Sequence, residues 1–417
     1  MKAEIIAVGS ELLTPYRMDT NSLYLTERLN RLGIEVARKL IVGDNARDLA
    51  DSFRAALDRV ELVISIGGLG PTEDDLTRET VAELLGRKLI LNDGVLRAIQ
   101  ERFRRVGREM AEVNKRQALV PEGAEILENP RGTAPGLWID TNGRIVVLLP
   151  GPPPELKPMF AEKVEPRLAQ LAGGVRLLTR ELRVAGMPES DVEQRIAPIY
   201  KSYTDAETTI LAAPGEIQIH LRAWTRDAAA SEKLLNEMAE RIHLALGDAV
   251  FTTQGESLEQ VVADKLLMNN ATIAVAESCT GGLVAERLTT IPGSSTYFLG
   301  GVVCYSNDLK SAWVDVPAEL IEAKGAVSGE VAAALADGIR RRSGATLGLA
   351  VTGLAGPGGG TPEKPVGSVF IALANHAGTK DRGFHFPGDR ERIRVQASQL
   401  ALDMVRRYFL YSAAPKG

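Results

Sequence analysis

The stretch Thr272-Ile-Ala-Val-Ala-Glu-Ser-Cys-Thr-Gly-Gly282 constrains the fold of this chain more than any other. Thr272 to Ala276 is short, apolar and rich in β-branched residues, as a central parallel strand is. Glu277-Ser-Cys-Thr places two hydroxyls and a thiol at the carboxyl end of that strand. Gly281 and Gly282 let the backbone approach a ligand closely. Leu283 and the residues after it continue as a helix. A strand, a polar turn and a helix in immediate succession predict an open α/β sheet, whose ligands bind at the carboxyl ends of the strands. The turn is expected to aim backbone N–H groups and a helix dipole at one point, an oxyanion or phosphate site beside any nucleophile placed there.

The front of the chain repeats the logic. Glu4–Gly9 and Glu35–Val42 read as strands, and Glu61–Gly68 as a third that ends in glycines. Asn21–Gly33 and Ala46–Val60 read as the helices between them, and the β-α-β-α-β order predicts a parallel sheet with right-handed crossovers. Ile145–Leu149 is a later strand closing on a proline-rich loop. The chemistry is expected on Gly67-Gly-Leu-Gly-Pro-Thr-Glu-Asp-Asp-Leu-Thr77, where Gly67, Gly68, Gly70 and Thr72 would cradle a phosphate. Asp74 and Asp75 are hard carboxylate donors suited to a divalent cation. The other reading is a loop whose Asp and Thr residues cap the next helix. Gly132 and Thr133 lie in a second glycine-rich turn and Leu149–Pro153 forms a third, which argues for a shared site.

Between these parts, Val175–Ala185 and Glu216–Trp224 alternate as half-buried strands. A helix is expected from Ser190, with a capping-type opening, and another over Ala228–Leu246. No Gly-x-x-Gly clamp lies between two helices here, which disfavours RNA binding. His220 and His243 lack metal-ligand spacing. This module is expected to be a spacer or a dimer-forming element.

In the last part, four polar turns follow strands, around Ser278, Lys310, Thr352 and Arg390. A serine nucleophile needs a base, and His385 is not accompanied by a Ser-His-Asp set, so a Ser278–Lys310 pair is the arrangement that fits. Two plainer readings stay open: Ser278 as a helix N-cap and Lys310 as a solvated surface lysine. Cys279 is a rival nucleophile, although its place after an apolar strand favours a buried, inert thiol. Cys304, inside an apolar run, reads as packing.

Composition excludes several classes. With 417 residues, two or three domains are expected. A net charge of −5 offers no basic field for nucleic acid. Two cysteines make no disulfide framework, and a reduced cytoplasmic setting is expected. The start has no signal-peptide shape, and no apolar run is long enough to cross a bilayer.

Ordered motifs then point to a family. Val8–Leu13, Asp19–Asn21, Gly67–Thr77, Gly132–Gly136 and Leu149–Pro153 resemble the molybdopterin-binding fold of the MogA/MoaB type, in the version found at the front of the CinA family. Ala276–Gly282, Gly293–Ser295, Tyr305–Asn307, Lys310, Gly325–Ser328, Thr352–Pro357, Lys364–Gly367 and Phe386–Arg390 resemble the CinA C-terminal domain, a nicotinamide-nucleotide amidohydrolase of the PncC type. The middle resembles the KH-like insert of full-length CinA proteins in its order of elements. The expected architecture is α/β: two α/β/α sandwich domains with largely parallel sheets, at 1–166 and 255–417, joined by a small α+β module at 167–254. The last domain is expected to fold and work by itself.

The resemblance implies that nicotinamide mononucleotide (NMN) is hydrolysed to nicotinate mononucleotide and ammonia without a cofactor. It implies Ser278 as nucleophile, Lys310 as base and Tyr305 as the residue that orients Lys310. Thr280 and Gly281 N–H groups would hold the oxyanion, Thr352 and Gly353 would position the ring, and Arg390 would pair with the phosphate, with Arg394 and Gly356–Gly360 as rivals. At the front it implies an ADP-ribose-type ligand and, in some relatives, its hydrolysis with a divalent metal such as Mg2+. Many relatives carry a glycine shortly after Glu-Leu-Leu, where this chain has Thr14-Pro15-Tyr16-Arg17. A nucleotide-sensing protein with a silent front site is the alternative. A homodimer is expected, and a membrane partner is not.

Overall fold

Six of the seven residues of the strand Lys2–Val8 are buried, so both of its faces must be covered. This computed structural model describes residues 1–412. The chain divides into two units, Met1–Leu178 with Trp224–Ala229, and Thr179–Ala223 with Ala230 onward.

In the first unit, Lys2–Val8 pairs in parallel with Glu35–Val42 and with Leu62–Ile66, and Leu62–Ile66 pairs in parallel with Arg144–Leu149. Gly136–Thr141 and Glu125–Leu127 extend this sheet in antiparallel fashion, an extension with no counterpart in the sequence reading. One face of the sheet packs Ile5, Ile64 and Val147 with Leu25, Leu29 and Phe160. The other packs Ile6, Val63 and Val146 with Leu49, Phe53 and Val81. The result is a three-layer sandwich with helices on both faces.

In the second unit, Ile273–Glu277 is fully buried and lies between Phe298–Val303 and Leu347–Gly353, parallel to both. Ser368–Asn375 and Gly378–His385 then add two antiparallel strands. On one face Ile273, Val275 and Val351 pack against Leu258, Val262, Ala397 and Leu402. On the other, Ala274, Ala276 and Ala350 meet Val331 and Leu335 of the helix Gly329–Ser343.

The middle residues form a four-stranded sheet in the order Glu207–Ala213, Glu216–Thr225, Arg176–Ala185, Val250–Thr252. Ile217, Ile219, Leu221 and Ala223 turn inward at every second position, as the alternation predicts. The expected capping opening at Ser190 is not formed. The helix there starts at Glu189, behind Pro188, with no side-chain cap. This module shares a core with the last sheet, because Ala185 and Phe251 pack in one cluster with Leu258, Val262 and Leu402. Arg406, almost fully buried, donates to the carbonyls of Asp248 and Val250, and Gln399 donates to Glu216 at 3.1 Å. No helix among the described residues is long and apolar enough to cross a membrane.

Candidate functional site

The strand Ile273–Glu277 delivers Ser278 to the end of the sheet, where the Ser278 N–H bonds the Val351 carbonyl at 2.9 Å. Gly281 N–H closes the turn onto the Ser278 carbonyl at 3.1 Å. Gly281 and Gly282 then adopt φ of 61° and 95°, values that favour glycine, and the helix Leu283–Thr289 begins. Ser278 is not the cap of this helix. The cap is the buried carboxylate of Glu277, which accepts from Gly282 N at 3.0 Å, Val284 N at 3.1 Å and Ala285 N at 2.8 Å. The anion site expected at this helix start is therefore filled by the protein itself. The Ser278 side chain has no hydrogen-bond partner among the described residues and stands at the wall of a cleft of about 260 Å³.

Lys310 lies across that cleft. Ser306 caps the helix Asn307–Val314 by accepting from Leu309 N at 3.3 Å, and this start turns Lys310 inward. Lys310 is 2% exposed, which removes the surface-lysine reading. Its Nζ donates to the Cys304 and Tyr305 carbonyls, each at 3.1 Å. Burial holds its pKa below the ordinary lysine value of 10.5, against the pull of Cys304, Cys279 and Tyr305. The same burial pushes the Cys279 thiol up to about 12, and raises Cys304 as well. A thiolate nucleophile is thus disfavoured in this cleft.

The other expected residues divide. Thr352, Gly353, Tyr305 and Arg390 line the same cleft, with Asn307 and Gly358 beside them, and no carboxylate lies on its wall. Thr352 Oγ1 donates to the Ala326 carbonyl at 2.8 Å, which fixes its hydroxyl. Tyr305 does not orient Lys310 through its ring. Its hydroxyl accepts from Arg390 at 2.9 Å, and only its backbone carbonyl holds the lysine. Arg390 also donates to the Gly356 carbonyl at 2.8 Å, which draws the glycine-rich loop onto the same guanidinium. Arg394 is spent on the Thr280 carbonyl, at 3.2 Å and 2.8 Å. Gly281 cannot serve as an oxyanion donor in this conformation, because its N–H is consumed within the turn. Thr280 keeps its backbone N–H free, while its side-chain oxygen is buried without a partner.

The first unit gathers its motifs at the carboxyl ends of Lys2–Val8, Leu62–Ile66 and Arg144–Leu149. Gly67 has φ of 94°, and a Cβ there would stand 2.5 Å from the Val8 carbonyl oxygen. Gly68 faces Thr77 Oγ1. Asn21 Nδ2 donates to Gly151 at 2.8 Å. Asn21 Oδ1, Ser22 Oγ and Thr77 Oγ1 are buried with no partner among the described residues. Gly132 N–H bonds Asn129 Oδ1 at 2.8 Å, and Thr133 is half-buried beside it. Thr72 N–H bonds Asp75 Oδ2 at 2.9 Å, and Gly70 lies against that same carboxylate.

Asp75 thus structures the loop, as the plainer reading held, and Asp74 is left exposed. No group of three or more His, Cys, Asp or Glu among the described residues gathers to hold a metal ion. These two aspartates do not fit a cation site complete in itself. Arg116 bridges the Thr72 carbonyl at 2.6 Å and Glu79 at 3.1 Å, and the sequence reading missed both. The departing segment Thr14–Arg17 lies at the surface, with Tyr16 89% exposed. His220 contacts Gln218 at 3.4 Å, and His243 is exposed at the end of its helix.

Comparison with known proteins matches this chain to three family descriptions: the probable molybdopterin binding domain over residues 4–170, the damage-inducible protein CinA KH domain over 179–252, and the CinA C-terminal domain over 255–409. A CinA-like protein of Solibacter usitatus is 53% identical over 407 residues, 98% of each chain. A CinA-like protein of Koribacter versatilis is 52% identical over 411 residues, 98% of this chain and 99% of its own. The solved structure of the protein CinA with unknown function from Thermoplasma acidophilum is 33% identical, covering 40% of this chain and 97% of that one, with a TM-score of 0.38. With relatives this similar along their whole length, the chain belongs to the CinA family.

Proposed function

We propose that the Ser278–Lys310 cleft is an amidohydrolase site that converts NMN to nicotinate mononucleotide and ammonia. The observation that carries this reading is the placement of Lys310, buried with its Nζ against two carbonyls. A neutral amine has two hydrogens and one lone pair. Both hydrogens have carbonyl acceptors here, so the lone pair remains to take a proton. Ser278 Oγ would bond to the carboxamide carbon as its proton passes to Lys310. The C–N bond then breaks, Lys310 returns the proton to the leaving ammonia, and water hydrolyses the acyl-enzyme. These steps balance without a cofactor. The exposed Tyr305 ring suits the face of the cationic pyridinium, and that cation would lower the Lys310 pKa further. Ammonia release by the purified chain with NMN tests the reading; its absence at millimolar substrate would defeat it.

Arg390, tethered by Gly356 and Tyr305, is the phosphate partner in this proposal. Arg390→Ala is expected to raise KM for NMN about tenfold to a hundredfold. It should leave KM for nicotinamide riboside, which lacks the phosphate, nearly unchanged. Equal effects on both substrates would show that Arg390 acts otherwise.

The front unit supports a second reading. Among the described residues, six buried polar side-chain atoms of this unit have no partner, and those on Asn21 and Thr77 belong to residues that meet the glycine turns at Gly151 and Gly68, with Ser22 next to Asn21; an ADP-ribose-type nucleotide is the proposal. A divalent cation there would arrive with the diphosphate, with the exposed Asp74 as a carboxylate ligand. Calorimetry with ADP-ribose, with and without Mg2+, should show binding that Asn21→Ala weakens about tenfold. NMN deamidation should be unaffected. No heat with either would remove this reading.

A further inference from the structure

The turn that carries Ser278 is gripped by two side chains of opposite charge, neither of which touches the cleft. From one side comes Glu277, 1% exposed, its two oxygens shared among three backbone N–H groups. From the other comes Arg394, on the last helix, whose guanidinium places two N–H groups on the Thr280 carbonyl. Gly281 N–H is used by Ser278, while Gly282, Val284 and Ala285 N–H are used by Glu277. Of the N–H groups from Cys279 to Gly282, only those of Cys279 and Thr280 have no protein acceptor among the described residues. They are the two central N–H groups of the four-residue turn, directly after the nucleophile.

We infer that Cys279 and Thr280 N–H form the oxyanion hole, and that Glu277 and Arg394 are the positioning residues that aim them. This rests on the amidohydrolase reading of the cleft. When Ser278 Oγ bonds to the carbonyl carbon, the C=O π pair moves to oxygen, and that oxygen must find donors already in place. Glu277 keeps the helix start from competing for it, and from binding the substrate phosphate. Arg394 anchors the Thr280–Gly281 peptide by its carbonyl, which keeps the Gly281 N–H on the Ser278 carbonyl and so holds closed the turn on which the Cys279 and Thr280 N–H groups stand. The thiol of Cys279 has no part in this, because its contribution is its backbone.

Two variants test the grip. Glu277→Gln keeps the shape of the side chain but sets an amide NH2 against backbone N–H groups. Arg394→Lys keeps the charge and loses the fork. Each is expected to lower kcat about tenfold to a hundredfold with KM within threefold, the size of effect that slight misplacement of reacting groups produces. A purely structural role would lower stability without this split. The sharper readout uses the 3-formylpyridine analogue of NMN, whose aldehyde adds to Ser278 and so needs the oxyanion hole without turnover. Its affinity should fall by the same factor as kcat/KM, while affinity for nicotinate mononucleotide holds. If wild type is active and both variants keep aldehyde affinity within threefold, the positioning role is wrong and the amidohydrolase reading stands. Should Glu277→Gln fail to fold, Arg394→Lys decides alone. If wild type releases no ammonia and does not bind the aldehyde, the reading of the cleft fails and this inference falls with it.

Discussion

On the proposed reading, Ser278→Ala is expected to lower ammonia release from NMN by about a thousandfold or more while the nucleotide still binds, because the residual rate has only donors and binding to draw on. Lys310→Met does the same. Methionine fills the lysine volume, so no large cavity opens, and the loss of the buried amine offsets part of the cost of leaving the Cys304 and Tyr305 carbonyls without their donor. The double variant is little slower than either single one, since the two residues act in one step. Cys279→Ser keeps most of its activity, because a thiol with its pKa near 12 supplies no thiolate at neutral pH. Deamidation rates beside thermal melts decide all four.

The pH profile belongs to the same result. The base must be neutral, so kcat/KM rises with pH through an inflection below 10.5, as burial of Lys310 dictates. Stability follows the same group. Between the lowered pKa and 10.5 the unfolded chain holds the proton that the folded chain has released, so this lysine makes stability rise with pH across that window. Lys310→Met removes both trends. A wild-type rate flat across the window would point to another base.

The second large effect concerns where the chain can be cut. A fragment starting at Glu256 is expected to melt about 10 °C below a fragment starting at Thr179, and the longer one alone matches the full chain in deamidation. Phe251 and Ala185 fill the core around Leu258 and Leu402, and a lost phenylalanine in such a place costs roughly 3–5 kcal/mol. Arg406 would in addition lose the Asp248 and Val250 carbonyls and be left with its ion pair to Asp403. This departs from the expectation that the last domain stands alone. The polar stretch Thr252–Glu256 looks like a linker, but Phe251 just before it is core. Equal melting temperatures for the two fragments would show that the shared core contributes little.

Legibility followed the range of the signal. The strand into Ser278 and the Ser306 cap before Lys310 are local features, since an apolar run and a helix-start residue sit within a few positions of the catalytic candidates. The partners of the turn are not local. Arg394 reaches Thr280 across 114 residues, and Arg116 reaches Thr72 across 44. Glu277 lies within the motif, yet nothing in its neighbours says that its side chain folds forward onto the next helix. Gly378–His385 was missed as a strand because most of it is exposed, and Lys380, Asp381 and Arg382 give no apolar alternation. Asp75 was read both ways, and only coordinates separate a loop brace from a metal ligand.

The most direct measurement is the intact mass of the protein quenched during incubation with NMN. The account predicts an adduct equal to the nicotinate mononucleotide acyl group, mapped to the peptide that contains Ser278, and absent from Ser278→Ala. An adduct on Cys279, or turnover of NMN by Ser278→Ala at the wild-type rate, would contradict it.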